Sequence, residues 1–308
     1  MLYNWQQADW PQFRYDLSGL EEFFLTFAEK TGQVTGLVKG LSPDAQIEAA
    51  IELMATEALK TSAIEGELLS RRDLLSSIRK NLGIEKEAQA GDKRAIGIAT
   101  LMTDVRQDFA APLSEGKLFE WHRMIMAGHR RIQPGEWRTH AEPMQVISGP
   151  VGHEIVHFEA PPSSIVPLEM ARFIEWFNNT GPEGTRPIKK AAVRSAVAHL
   201  YFESIHPFED GNGRVGRALS EKALSQGFGR PILLSLSRAI AAKRNEYYDA
   251  LQQAQQDNEL TAWITWFLTI VLDAQAQAEE HIDFTLRKTR LFDRFRGQLN
   301  ERQMQILQ

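Results

Sequence analysis

The stretch IKKAAVRSAVAHLYFESIHPFEDGNGRVGRALSEKALSQGFG (188–229) decides how the chain folds. Its first part is alanine-rich with apolar residues at helical spacing. Pro207 must end that helix within a residue or two, because proline has no N–H for the helix interior. From Arg214 the helical pattern resumes, and it closes at glycine. Asp210-Gly211-Asn212-Gly213 is therefore a tight loop between two helices, opening onto a helix N-terminus. Glycine permits positive φ and close approach of backbone N–H groups to a ligand. The helix end adds partial positive charge, so loop and helix together form a cradle suited to pyrophosphate. Arg214 and Arg217 lie three apart, share a face and point toward the loop, where each can fork onto phosphate oxygens. Asp210 is a hard carboxylate suited to a Mg²⁺ that also bridges phosphates. His206, across the loop, is of the residue type best suited to proton abstraction near neutral pH. Phe208 reads as an apolar anchor. The constellation implies nucleotidyl or phosphoryl transfer: His206 deprotonates a hydroxyl, which attacks a phosphate held by amides, Mg²⁺ and two arginines.

Most of the remaining chain reads as helix. Ser42-Pro43-Asp44 combines a hydroxyl cap, a first-turn proline and an acid at the positive end of the dipole. In the helix that follows, Ile47, Ile51, Met54, Ala58 and Ile64 share a face, and Gly66 is a stop. Further helices are expected near 68–81, 92–109, 117–127, 163–178, 187–204, 214–226, 238–256, 260–280 and 282–296. The exception is 142–162, where two β-branched or aromatic runs flank Ser-Gly-Pro and end at Pro-Pro, the pattern of a β-hairpin. That hairpin contains HEIVH (153–157), which matches a zinc-protease helix motif. On a strand, His153 and His157 stand about 13 Å apart, too far to share one ion. Trp5, Trp10 and Phe13 are expected to pack an N-terminal arm onto the body, and His199 reads as a hydrogen-bonded core histidine.

Composition sets outer limits. Hydrophobic residues make up 43% of the 308, enough for a sizeable core. A net charge of −5 argues against a generally basic nucleic-acid coat. The absence of cysteine excludes disulfides, thiolate catalysis and Cys-based zinc sites, and is compatible with a reducing, cytoplasmic setting. The longest apolar run, AWITWFLTIVL (262–272), is too short for a bilayer, which takes about 20 residues, so no membrane span is expected.

HPFEDGNGRVGR (206–217) resembles the signature of the Fic family, H-x-F-x-[DE]-G-N-G-R-x-x-R, with every specified position filled. The hairpin at 144–159 looks like the family's target-docking flap, and AKRNEYYDALQQAQ (242–255) is similar to its adenine-side helix. The resemblance implies an all-α fold: a Fic-type helical bundle with one β-hairpin flap and an N-terminal helical extension. It divides the chain into an N-terminal region (1–90), a Fic core (91–256) and C-terminal helices (257–308). It implies transfer of AMP from ATP to a Ser, Thr or Tyr hydroxyl of a target protein. Carried over by position, His206 is the general base and Asp210 holds Mg²⁺. Gly211, Asn212, Gly213 and Arg214 bind the α- and β-phosphates, with Gly216 in the same segment, and Arg217 holds the γ-phosphate. Tyr247 and Tyr248 lie along the nucleoside. Gln255 is near the base, at a position where relatives often carry Asn. Val156, His157, Phe158 and Glu159 border the nucleotide and pair with an extended target segment as an added strand.

TSAIEG (61–66) matches the family's inhibitory motif, [ST]-x-x-x-E-[GN]. Thr61 and Glu65 share a helix face, Gly66 ends the helix, and the resemblance implies that Glu65 pairs with Arg217 and so competes with the γ-phosphate. Two other functions stay open: removal of AMP from a modified protein at the same site, and a non-catalytic nucleotide-sensing regulator. The final residues, LNERQMQILQ, read like the start of another domain. Several relatives continue into a winged helix there, and only such a module would bring nucleic acid as a partner. Family members often pair as homodimers.

Overall fold

The computed structural model describes residues 2–86, 91–129, 132–148 and 155–294. The described residues form eleven α-helices and a single hairpin. They are α1 (Glu21–Lys39), α2 (Pro43–Ile64), α3 (Arg71–Asn81), α4 (Lys93–Gln107), α5 (Glu115–Ile125), β1 (Gln145–Ser148), β2 (Ile155–Glu159), α6 (Val166–Asn179), α7 (Ala191–Ile205), α8 (Asn212–Phe228), α9 (Leu236–Ala242), α10 (Arg244–Ala254) and α11 (Thr261–Arg294). The fold is all-α with one flap, as the sequence implies. No helix among the described residues is long and apolar enough to cross a membrane.

Local chemistry sets many helix starts. The side chains of Ser42, Ser70, Ser114 and Ser235 each accept a hydrogen bond from a backbone N–H three residues on, which satisfies one of the unpaired first-turn donors. α7 is the axis of the molecule: every residue from Ala192 to Ile205 is buried. A helix covered on all sides must satisfy its polar side chains internally. Arg194 donates to Phe177 O at 2.7 Å and Ser195 Oγ to Ser220 O at 2.9 Å. α8 packs antiparallel beside it after the loop, and α2, α4, α5 and α6 complete the main core around Trp121, Phe173, Phe202 and Phe208.

Four sequence expectations are corrected. α1 was not anticipated. Gly32, Gly36 and its threonines and valines weaken helix propensity, but Phe24 and Phe27 pack into the core beside α11 and supply the missing stability. Positions 260–280 and 282–296 form one helix to Arg294, since neither glycine nor proline interrupts them. Positions 238–256 are two helices, broken at Lys243 (φ −124°, ψ 39°). Ile47 is 46% exposed, while Ile51, Met54, Ala58 and Ile64 are buried.

The N-terminal arm crosses the seam between flap and body. Asn4 is fully buried, and its Nδ2 donates to Ser204 Oγ at 2.9 Å. Trp5 Nε1 donates to Glu159 O at 2.7 Å, and Tyr3 packs edge-on against Phe158. Trp10 and Phe13 pack edge-on against Tyr201, as expected of an arm that docks through aromatic residues.

Candidate active site

The loop is built backbone first. α7 ends at Ile205, and His206 takes left-handed geometry (φ 50°, ψ 60°), the only non-glycine described residue with positive φ. Such a conformation costs about 1–3 kcal/mol and persists where its surroundings over-determine it. Here they do. His206 N donates to Phe202 O at 3.0 Å, and buried Arg138 donates from Nε to His206 O at 2.8 Å. Arg138 N also donates to Pro207 O, and its Nη1 reaches Ser163 Oγ at 2.9 Å, so one guanidinium links the turn to the segment after β2. Asn212 closes the turn: Phe208 N donates to its Oδ1 at 2.9 Å, and its Nδ2 donates to Phe208 O at 2.8 Å.

Phe208 is fully buried, stacked on His122 at 3.9 Å and tilted against Trp137. Gly135 N donates to His122 Nδ1 at 2.9 Å, so Nδ1 must be the lone-pair nitrogen. His122 Nε2 then carries the proton and donates to Asp210 O at 3.2 Å. Burial drives this imidazole down to about 4, so it is neutral. Gly211 has φ 84°, and a Cβ there would sit 2.7 Å from Ile125 Cδ1. Only glycine meets both constraints.

Beside the loop opens a cavity of about 580 Å³. His206, Glu203 and Gly213 form its floor, Glu65 one side, β1 and His157 another, and α10 the far wall through Arg244, Tyr247, Tyr248, Gln252 and Gln255. Tyr247 is buried, and its hydroxyl lies 2.8 Å from Nε2 of the fully buried core histidine His199. Tyr248 is half-exposed at the mouth beneath the Arg244 guanidinium. Gln255 is buried and donates to Glu203 O at 3.3 Å.

Both signature arginines are held by the C-terminal end of α2 and the residues just after it. Arg217 Nη2 donates to Glu65 Oε1 at 2.6 Å and to Thr61 O at 3.0 Å, and Nε donates to Thr61 Oγ1 at 2.7 Å. Burial pulls the Arg217 guanidinium down, but the Glu65 carboxylate outweighs it and keeps the charge fixed. Arg214 Nη1 donates to Glu67 Oε1 at 2.9 Å and Nη2 to Asp210 Oδ1 at 3.2 Å. His129 Nε2 lies 3.2 Å from the same Glu67 oxygen. Gly66 makes this possible: with φ 81° it reverses the chain, so Glu65 and Glu67 both face α8.

The structure thus brings His206, Gly213, Tyr247, Tyr248 and Gln255 to one cavity, with Glu65 among them. Several other expected site residues direct their side chains elsewhere or do not line this cavity. The Asn212 side chain is turned inward as a staple of the turn. Gly216 faces α7, where a Cβ would meet Glu203 Oε1 at 2.5 Å, so its place is close helix packing. On the flap, only His157 of the four proposed residues lines the cavity. The register shifts between Val146 and Ile147, and such a bulge re-aims side chains. Val146, Ile147 and Gln145 of β1 line the cavity instead. Phe158 is buried against Tyr3, Val156 is 43% exposed, and Glu159 accepts from Gln145 Nε2. His153 and Glu154 of the zinc-like motif lie outside the described residues. Sequence reading missed Glu67, Arg138, His122 and Glu203. Only Glu203 carried a local signal, an acid on α7 one turn before His206.

Among the described residues, a helical body carries a hairpin beside a cavity, and a glycine turn feeds a buried arginine pair. Residues 112–224 match the Fic/DOC family model. Residues 3–84 match a second model, described as a domain of unknown function, DUF4172. A protein adenylyltransferase Fic from Culex quinquefasciatus is 26% identical over 200 residues, 63% of this chain and 35% of the relative. A protein adenylyltransferase fic-1 from Caenorhabditis briggsae is 26% identical over 202 residues, with the same shares. The chain thus spans about a third of the length of these curated relatives. The fold is shared with a Fic domain containing signaling protein from Bacteroides thetaiotaomicron (TM-score 0.65, 18% identity, 84% of this chain and 97% of that one). It is shared too with a Fic family protein from Desulfovibrio desulfuricans (TM-score 0.59, 24% identity, 83% and 74%).

Proposed function

We propose that the chain is a protein adenylyltransferase that uses ATP and rests in a state closed by Glu65. The observation that carries this is the 2.6 Å bond between Glu65 Oε1 and Arg217 Nη2. A guanidinium engaged by a carboxylate and by Thr61 has no fork left for a γ-phosphate. Glu67 occupies Arg214 in the same way. Arg217 Nη1 and Arg214 Nε are nonetheless buried donors without partners, which is what an anion-binding pair awaiting its ligand requires.

With the carboxylates displaced, the chemistry follows from the loop. A target hydroxyl passes its proton to His206 as its oxygen bonds to the α-phosphorus. The bond from that phosphorus to the bridging oxygen breaks, and pyrophosphate leaves with the electron pair. The first-turn amides of α8, unpaired by helix geometry, and the two arginines meet the developing charge. The Asp210 side chain is 47% exposed at the mouth of the turn, a hard oxygen donor that fits Mg²⁺. When bound there, Mg²⁺ supplies charge neutralisation on the phosphates. Tyr247, Tyr248 and Gln255 line the nucleoside side, and β1 offers the target an edge strand. With radiolabelled ATP and Mg²⁺, Glu65→Gly should raise label transfer to protein roughly 100-fold, the scale set by one charge-stabilising donor. Equal incorporation by wild type and variant would remove Glu65 from the account.

A further inference from the structure

Glu203 stands one helical turn before His206 on α7 with its side chain 5% exposed, and Oε2 lies 3.6 Å from His206 Nδ1. His206 Nδ1 and Glu203 Oε1 are both buried, and neither has a hydrogen-bond partner. The unpaired imidazole nitrogen thus faces a carboxylate whose other oxygen is itself unpaired, and each unpaired buried group costs about 1–3 kcal/mol. The pocket for this carboxylate is built on purpose from the facing helix: any Cβ at Gly216 would lie 2.5 Å from Glu203 Oε1 and 3.2 Å from His199 Nδ1. Burial pushes the Glu203 carboxyl up, but His206, His199 and Arg217 outweigh it and hold the group below the ordinary carboxylate range. The main chain of His206 is already pinned at its N–H by Phe202 and at its carbonyl by Arg138, leaving only the ring's rotation and tautomer unfixed.

We infer that Glu203 is a positioning residue for His206: its carboxylate holds the imidazole with the proton on Nδ1, so that Nε2 presents its lone pair to the incoming hydroxyl. This rests on His206 being the base. A base oriented by a third group recurs wherever a histidine must face one way. The 3.6 Å separation is longer than a hydrogen bond, and a modest side-chain rotation closes it, as in other resting sites whose catalytic bonds tighten on substrate binding.

The first test needs no turnover. In ¹⁵N-labelled wild-type protein at mildly alkaline pH, the His206 ring is assigned by its loss in His206→Ala. Long-range ¹H–¹⁵N correlations should show the proton on Nδ1, and in Glu203→Gln that preference should be lost. In the Glu65→Gly background, Glu203→Gln should lower kcat roughly 100-fold with KM for ATP unchanged, and Glu203→Asp should recover part of the rate. A wild-type ring protonated on Nε2 overturns the proposal, and so does a Glu203→Gln protein with unchanged tautomer and kcat. If Glu203→Gln does not fold, the wild-type tautomer decides. Absence of label transfer by Glu65→Gly would overturn the adenylyltransferase reading and leave the ring measurement standing.

Discussion

Two bonds from one side chain hold the turn on which the site depends. Asn212 gives and takes a hydrogen bond with the same residue, Phe208, in a buried setting. Asn212→Ala would strand both the N–H and the C=O of Phe208, at a cost of about 1–3 kcal/mol each. The urea midpoint should fall accordingly, and a change below about 0.5 kcal/mol, the ordinary range for neutral substitutions, would show that the turn does not need its staple. His122 makes a prediction in pH. Its folded value is depressed to about 4 from an ordinary 6.5. The unfolded chain therefore binds the proton first, and the stability from His122 is present above pH 6.5 and lost as pH falls toward 4. Urea midpoints across that window should slope less steeply in His122→Phe, which keeps the stack on Phe208 without a titrating ring. Identical slopes would remove His122 as a source of acid sensitivity. Neither role was visible in the one-dimensional chain. The resemblance implies phosphate binding at Asn212, and only the fold shows that its side chain is turned inward to Phe208.

At the scale of elements, α2 is a wall of the molecule and, on the proposed reading, also its brake. Glu57, one turn before Thr61, is buried and accepts from Ser235 Oγ at 2.6 Å and Ser237 N at 2.9 Å, which ties α2 to the start of α9. Its C-terminal end delivers Glu65, and the turn at Gly66 delivers Glu67. In the Glu65→Gly background, Glu67→Ala should lower KM for ATP by roughly tenfold, the loss of about one charge-assisted bond, since Arg214 no longer has to be released. An unchanged KM would make Glu67 a bystander. The helix–turn–helix and the flap were legible because proline and glycine act locally. α1 was not, because its stability comes from packing against α11 and from Phe27 meeting Phe228, partners about 200 residues or more away. Glu67, Arg138 and His122 escaped for the same reason: each gains its role from a partner 68 to 147 residues distant.

At the scale of the whole molecule, the regions matched by two separate family models share one core. Ile51, Met54 and Ala58 of α2 belong to the same buried cluster as Trp121 of α5 and Phe202 of α7. The arm before α1 strengthens that union: Trp10 Nε1 donates to buried Glu169 Oε2 at 2.8 Å while its ring packs on Tyr201. Trp10→Ala should cost about 3 kcal/mol, and a thermal midpoint equal to wild type would mean the arm is dispensable. On the reading in which Glu65 restrains the site, the placement of α2 inside this shared core also decides how that restraint can be undone. A regulatory segment joined by a tether can be cut away to leave a permanently active remainder; this one is a beam of the building. Shortened chains that start beyond α2 should collapse instead of running unchecked, so on that reading release falls to changes of single side chains.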